Sequence, residues 1–283
     1  MNKVAKNYTD SFNEIVSKVN DKQNSLYGQY LGTGNPNSKI LILGKECAIN
    51  KNTHQCQYEH EILNNFINWK HNVDNNISIQ NADKDELWKT SKHVPVNPLY
   101  PYRGQFFKRD RNNNYGTSAT WYNYQKLLNK ILQDLNIPVP EDKQNKIFFH
   151  EYCFLSELNS ETAKYSKDVE SIGRETSIGI RKLLFTEVFY QHFPIVIVAT
   201  GHYPREYDID LQKMFSVNWN GDTNNNKKND KLRRNWYNIH HEITGGTPKL
   251  LIHTNQLSVV TTELLIKIAE ECVHFIKEHK LFL

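Results

Sequence analysis

Four short apolar runs constrain this chain more than any other feature: "KILILG" (39–44), "KIFFHEYC" (146–153), "PIVIVATG" (194–201) and "KLLIHT" (249–254). Each is nearly continuous rather than alternating, the pattern of strands covered on both faces. Helical patterns lie between and after them. Residues 120–135 place Trp121, Tyr124, Leu127, Leu128, Ile131, Leu132 and Leu135 on one face, with Ser118 or Thr120 as N-cap and Pro138 beyond the end. Residues 177–193 read as a second helix ending before Pro194, residues 259–279 as the last, and a further one runs across Tyr58, Ile62, Leu63, Phe66 and Trp69. Strands alternating with helices predict an α/β fold, a three-layer sandwich around a central, mostly parallel four-stranded sheet. Ligands of such sheets bind in the crevice beyond the carboxyl ends of the strands.

Two polar segments, 71–118 and 204–238, read as long excursions from a single domain spanning 1–283. Hydrophobic content is only 38%, in keeping with polar insertions around a compact core. A net charge of +4 permits a nucleic-acid partner without demanding one. No apolar stretch is long enough to span a membrane, and the N-terminus lacks the apolar segment of a secretory signal. The four cysteines show no disulfide spacing, so a cytoplasmic protein is expected, and a monomer. Cys47, His54, Cys56 and His60 fall within 14 residues, but their spacing fits no standard zinc finger or ribbon, and no metal is expected.

The strand ends are where chemistry gathers. The first run ends in "GKECA", bringing Gly44 and Glu46 to the edge; the second carries "HEYC", with His150 and Glu151. The third ends in "TGHY", with Gly201 and His202, and the fourth in "HTNQLS", with His253, Asn255, Leu257 and Ser258. One polar strand end is unremarkable; carboxylates, imidazoles and amides on four predict a functional crevice.

This ordered set resembles the uracil-DNA glycosylase superfamily, whose members pair Gly-Gln-Asp-Pro-Tyr near the N-terminus with His-Pro-Ser-Pro-Leu-Ser near the C-terminus. "GKECA" lies at the first place, "HTNQLS" matches the second at His253, Leu257 and Ser258, and "FFHEYCFL" resembles the single-strand-selective branch. The resemblance implies the strand order second, first, third, fourth. It also implies hydrolysis of an N-glycosidic bond in DNA or another nucleic acid, with no organic cofactor. By the same resemblance, Glu46 orients water and stabilises the cationic sugar, and His253 donates to the departing base. Leu257 is the wedge that fills the place of a flipped nucleotide, and Asn255 and Ser258 grip phosphates. Glu151 stands where the family reads the base with Asn; an ionised Glu only accepts, so plain uracil is expected to be a poor substrate. Tyr102, Phe106 and Tyr115 are candidates for the ring that stacks on the base.

Each residue taken singly also has a structural explanation. His253 could be an internally bonded strand-end residue, Glu46 could pair with Lys45, and Glu151 could be ion-paired at the sheet edge. The run Lys227, Lys228, Lys231, Arg233 and Arg234 is either a solvated loop or a phosphate-contacting flap. Two other readings stay open: a catalytically inactive relative that binds nucleic acid or protein, and a hydrolase of free nucleosides or nucleotides.

Overall fold

The computed structural model describes residues 7–20, 30–80, 97–101, 106–107, 118–163, 165, 168–225 and 235–283. Its elements, in chain order, are α1 (Asp10–Asn20), β1 (Thr33–Gly34), β2 (Ile40–Gly44), α2 (Gln55–Tyr58), α3 (Asn65–Asp74), α4 (Ala119–Asp134), β3 (Cys153–Glu157), α5 (Ser171–Leu184), α6 (Val188–Gln191), β4 (Ile195–Ala199), α7 (Tyr203–Glu206), α8 (Leu211–Phe215), β5 (Val217–Asn225), β6 (Trp236–Glu242), β7 (Leu250–Thr254) and α9 (Thr262–Glu278). Among these residues no helix is long and apolar enough to cross a membrane.

The strands form one mixed sheet of seven, in the order β1-β3-β2-β4-β7-β6-β5. Its parallel centre is β3-β2-β4-β7, of which three of the four apolar runs supply β2, β4 and β7. The expected four-stranded sheet is therefore too small. β1 adds an antiparallel edge to β3, and β6 and β5 extend the far side antiparallel. Both β5 and the start of β6 lie within 204–238, so that segment is in part sheet and not only an excursion.

Alternate strand residues face opposite cores. Leu41, Leu43, Phe154, Val196, Val198 and Leu251 pack with Phe12 of α1, Trp69 of α3 and Ile178 of α5. Ile40, Ile42, Leu155, Ile195, Ile197 and Ile252 pack with the apolar stripes of α4 and α9. Both faces are covered, which is why these strands lack polar alternation. Ser118 caps α4 by accepting from the Trp121 amide at 3.2 Å. The expected helix 177–193 is two, α5 and α6. The break falls where Thr186 turns its hydroxyl back to the Leu183 carbonyl at 2.7 Å.

The second strand is displaced from its expected place. Ile147, Phe148 and Phe149 are buried as expected of a strand, but residues 149–151 form a 3₁₀ turn and β3 begins only at Cys153. Gln125 of α4 decides this. It is fully buried, and its Oε1 accepts from the amides of Phe148 and Phe149 at 2.8 and 2.9 Å, leaving them no sheet partner. Gln125→Leu should cost about 2–4 kcal/mol in chemical denaturation, because two buried amides lose their acceptor.

Candidate active site at the carboxyl edge

In register, Glu157 of β3 lies beside Gly44 of β2, and Thr254 of β7 beside Ala199 of β4. The carboxyl edge therefore carries Gly44, Lys45 and Glu46, then Glu157 and Asn159, then Gly201, His202 and Tyr203, then Asn255. His150 and Glu151 precede β3 and sit at the opposite edge, which corrects the expectation that they share the crevice. Glu151 is paired with Lys143 at 2.5 Å. His150 is fully buried, stacked on Phe149 at 4.1 Å, with neither ring nitrogen bonded.

The residue that strand displacement brings to the edge is Glu157. Its Oε2 is buried and accepts no hydrogen bond from the described residues. A Cβ on Gly44 would lie 2.1 Å from that oxygen, so only glycine leaves the carboxyl its place. Burial first, and the charge of Glu46 second, raise its pKa to about 8, against the pull of Arg181. Arg181 is itself buried. It donates to the carbonyls of Tyr30 and Glu157 and to the Ser156 hydroxyl, and so fixes the end of β3. Glu46 is half-buried, and its Oε2 accepts from the hydroxyl of Tyr203 at 2.5 Å. Two neighbouring strands thus end in carboxyls in different surroundings, Glu157 buried and raised to about 8, Glu46 half-buried against the Tyr203 hydroxyl. Glu46→Gln should lower the Glu157 midpoint from about 8, with burial keeping it above the ordinary value of 4.5. Carboxyl ¹³C NMR reads this directly.

His253 is at the same edge. Burial lowers its pKa to about 4, and His240 and His202 add to that, so the imidazole is neutral at physiological pH. Its Nε2 lies 2.7 Å from the Gly201 carbonyl, which makes that nitrogen the donor and commits its proton to the backbone. Trp236 meets His253 edge-on at 5.0 Å and stacks under the exposed His202 at 5.7 Å. Asn255 and Ser258 are half-buried at the rim, and the Asn255 Oδ1 accepts from the Gln256 amide. Leu257, expected as the wedge, is not exposed. It is fully buried in a 3₁₀ turn against α4, where Asn123 donates to its carbonyl.

Two spaces adjoin the edge. One, about 50 Å³, is lined by Tyr30, Cys47, His60, Glu61, Trp121 and Glu157. The other, about 550 Å³ and polar, lies between Asn50–Asn52, Glu161–Ala163 and the first turn of α5. Asn159, fully buried, ends the β3 run with an unbonded Nδ2. Among the described residues no group of three His, Cys, Asp or Glu side chains is placed to hold a metal. Tyr102, Tyr115 and the basic run 227–234 lie outside the described residues. Phe106 is exposed and bridges Lys146, ahead of β3 and away from the crevice.

Sequence reasoning missed Glu157, Asn159 and Tyr203. The signal for the first two was present. "CFLSEL" (153–158) is itself an apolar run with a carboxylate at its end, overshadowed by "IFF" just before it. Tyr203 had none, because its role depends on an edge contact with a residue 157 positions away.

Comparison of the chain with protein-family models, curated proteins and solved structures finds no match.

Proposed function

We propose that the carboxyl-edge crevice hydrolyses an N-glycosidic bond in nucleic acid, as a divergent enzyme like the uracil-DNA glycosylases. The observation that carries this reading is the pair Glu46 and Glu157 at the ends of adjacent strands, Glu157 buried with its pKa raised to about 8 and Glu46 half-buried against the Tyr203 hydroxyl. Glu46 supplies negative charge beside a sugar that becomes cationic and orients the attacking water. Glu157, protonated at neutral pH, gives its proton to the departing base. The strand order β3-β2-β4-β7 and the neutral His253 at the last strand support the same reading.

Glu151 does not weigh against uracil, since it precedes β3 and lies at the other edge. Asn159 instead carries a buried amide nitrogen with no partner among the described residues, a donor type that suits a base edge. A second reading, a nucleic-acid-binding relative without catalysis, is favoured by two particulars: the His253 donor is occupied by Gly201, and Leu257 is buried.

The test is base release from a panel of modified single- and double-stranded oligonucleotides and free nucleosides. Release from any oligonucleotide supports the enzyme. Salt-sensitive binding without release supports the second reading. Release from free nucleosides alone moves the assignment to a small-molecule hydrolase.

A further inference from the structure

We propose that Tyr203 is a positioning residue that holds Glu46 apart from Glu157, so that the two carboxyls act as separate acid and base instead of sharing one proton. This rests on the glycosidase reading of the crevice. The observation behind it is a hydrogen bond that is not made. Oε2 of Glu157 is buried and has no hydrogen-bond partner among the described residues, although Glu46 follows Gly44, the residue paired with Glu157 on the neighbouring strand. Neighbouring carboxyls in a low-dielectric site ordinarily satisfy each other through a common proton. Glu46 instead accepts from Tyr203 at 2.5 Å.

Tyr203 is held firmly enough to act as a tether. It is 2% exposed, and its ring meets Tyr207 edge-on at 5.0 Å. Arg174 donates to the Tyr207 hydroxyl at 2.9 Å. The Lys45 ammonium sits 4.7 Å from the centre of the Tyr203 ring and the Arg174 guanidinium 5.9 Å, both favourable to its π face. These cations flank Glu46 from the loop after β2 and from α5. On the Glu157 side stand Arg181, Cys47 and Tyr30, and Arg181 gives its hydrogen bonds to carbonyls and a hydroxyl, not to the carboxyl.

Tyr203→Phe removes one oxygen and leaves the packing, so the variant is expected to fold. Glu46, released, turns to Glu157 and the two titrate as a coupled pair. The upper midpoint then rises by about one unit or more, and kcat falls about tenfold to a hundredfold while KM stays within about twofold. The experiment is a carboxyl ¹³C NMR titration of glutamate-labelled wild type and Tyr203→Phe, with thermal melts confirming the fold. An upper midpoint about a unit above the wild-type value near 8 is expected. An unchanged Glu157 titration overturns the proposal, even if kcat falls, because Tyr203 would then act by some other route. The titration needs no substrate. Inactivity of the wild type on every substrate would remove the glycosidase reading without obscuring the result for Tyr203.

Discussion

Glu157→Gln is expected to slow base release by about a hundredfold or more and, at the same time, to stabilise the fold. The folded protein holds the Glu157 proton up to about pH 8, whereas the unfolded chain releases it near 4.5. Between those values the folded state binds more protons, so stability falls as pH rises through the window. At pH 7 the linkage costs about 3 kcal/mol, and glutamine, which cannot ionise, should recover about 2–3 kcal/mol of it. Below about pH 4.5 the two forms should be equally stable. Urea titrations at pH 4.5 and pH 7 read the difference. A stability gain at pH 7 of the same size as at pH 4.5 would mean that proton linkage is not its source.

Acid should unfold this protein through His150. Burial lowers its pKa to about 3, whereas the unfolded imidazole titrates near 6.5. The unfolded state therefore binds the extra proton between those values, and stability is lost as pH falls from about 6.5 toward 3. At pH 4 the loss amounts to about 3 kcal/mol. His253, with a folded pKa of about 4, adds a loss of similar size. Glu157 works in the opposite sense, so stability from these three groups should peak near pH 6–7. His150→Phe keeps the stack on Phe149 and the edge contact with Trp121. It should be about 3 kcal/mol more stable than wild type at pH 4, with a smaller gain at pH 7 from removing two unbonded ring nitrogens. Denaturant unfolding across this range measures both. Equal acid sensitivity of the two proteins would show that His150 finds a partner on protonation.

The parallel centre of the sheet was legible because its strands are covered on both faces, and continuous apolar runs record that directly. β2, β4 and β7 fall where "ILILG", "IVIVA" and "LLIHT" place them. β5 and β6 were not legible: "VNWNGDTNN" is polar and exposed along most of its length, and its pairing comes from the hairpin rather than from burial. β3 was mistaken by several residues because burial of "IFF" does not distinguish a strand from a 3₁₀ turn. The choice was made by Gln125, in a different helix. That error moved the whole reading of the second strand end. It put Glu151 at the carboxyl edge, where the structure puts Glu157. Glu46 and Gly44 at the end of β2, and His253 and Asn255 at the end of β7, lie along the carboxyl edge with β4 between them. Leu257 shows the limit of motif matching: the residue type agrees with a wedge, but the turn that carries it faces the core.

The most direct measurement of the central claim, that the carboxyl pair breaks an N-glycosidic bond, is single-turnover base release by wild type and Glu157→Gln across about pH 5–9. The account predicts release by wild type from at least one oligonucleotide, falling above about pH 8 as Glu157 loses its proton. Glu157→Gln should be slower by about a hundredfold or more throughout. Equal rates for the two proteins, or a folded wild type that binds the oligonucleotides and leaves every base in place, would contradict it.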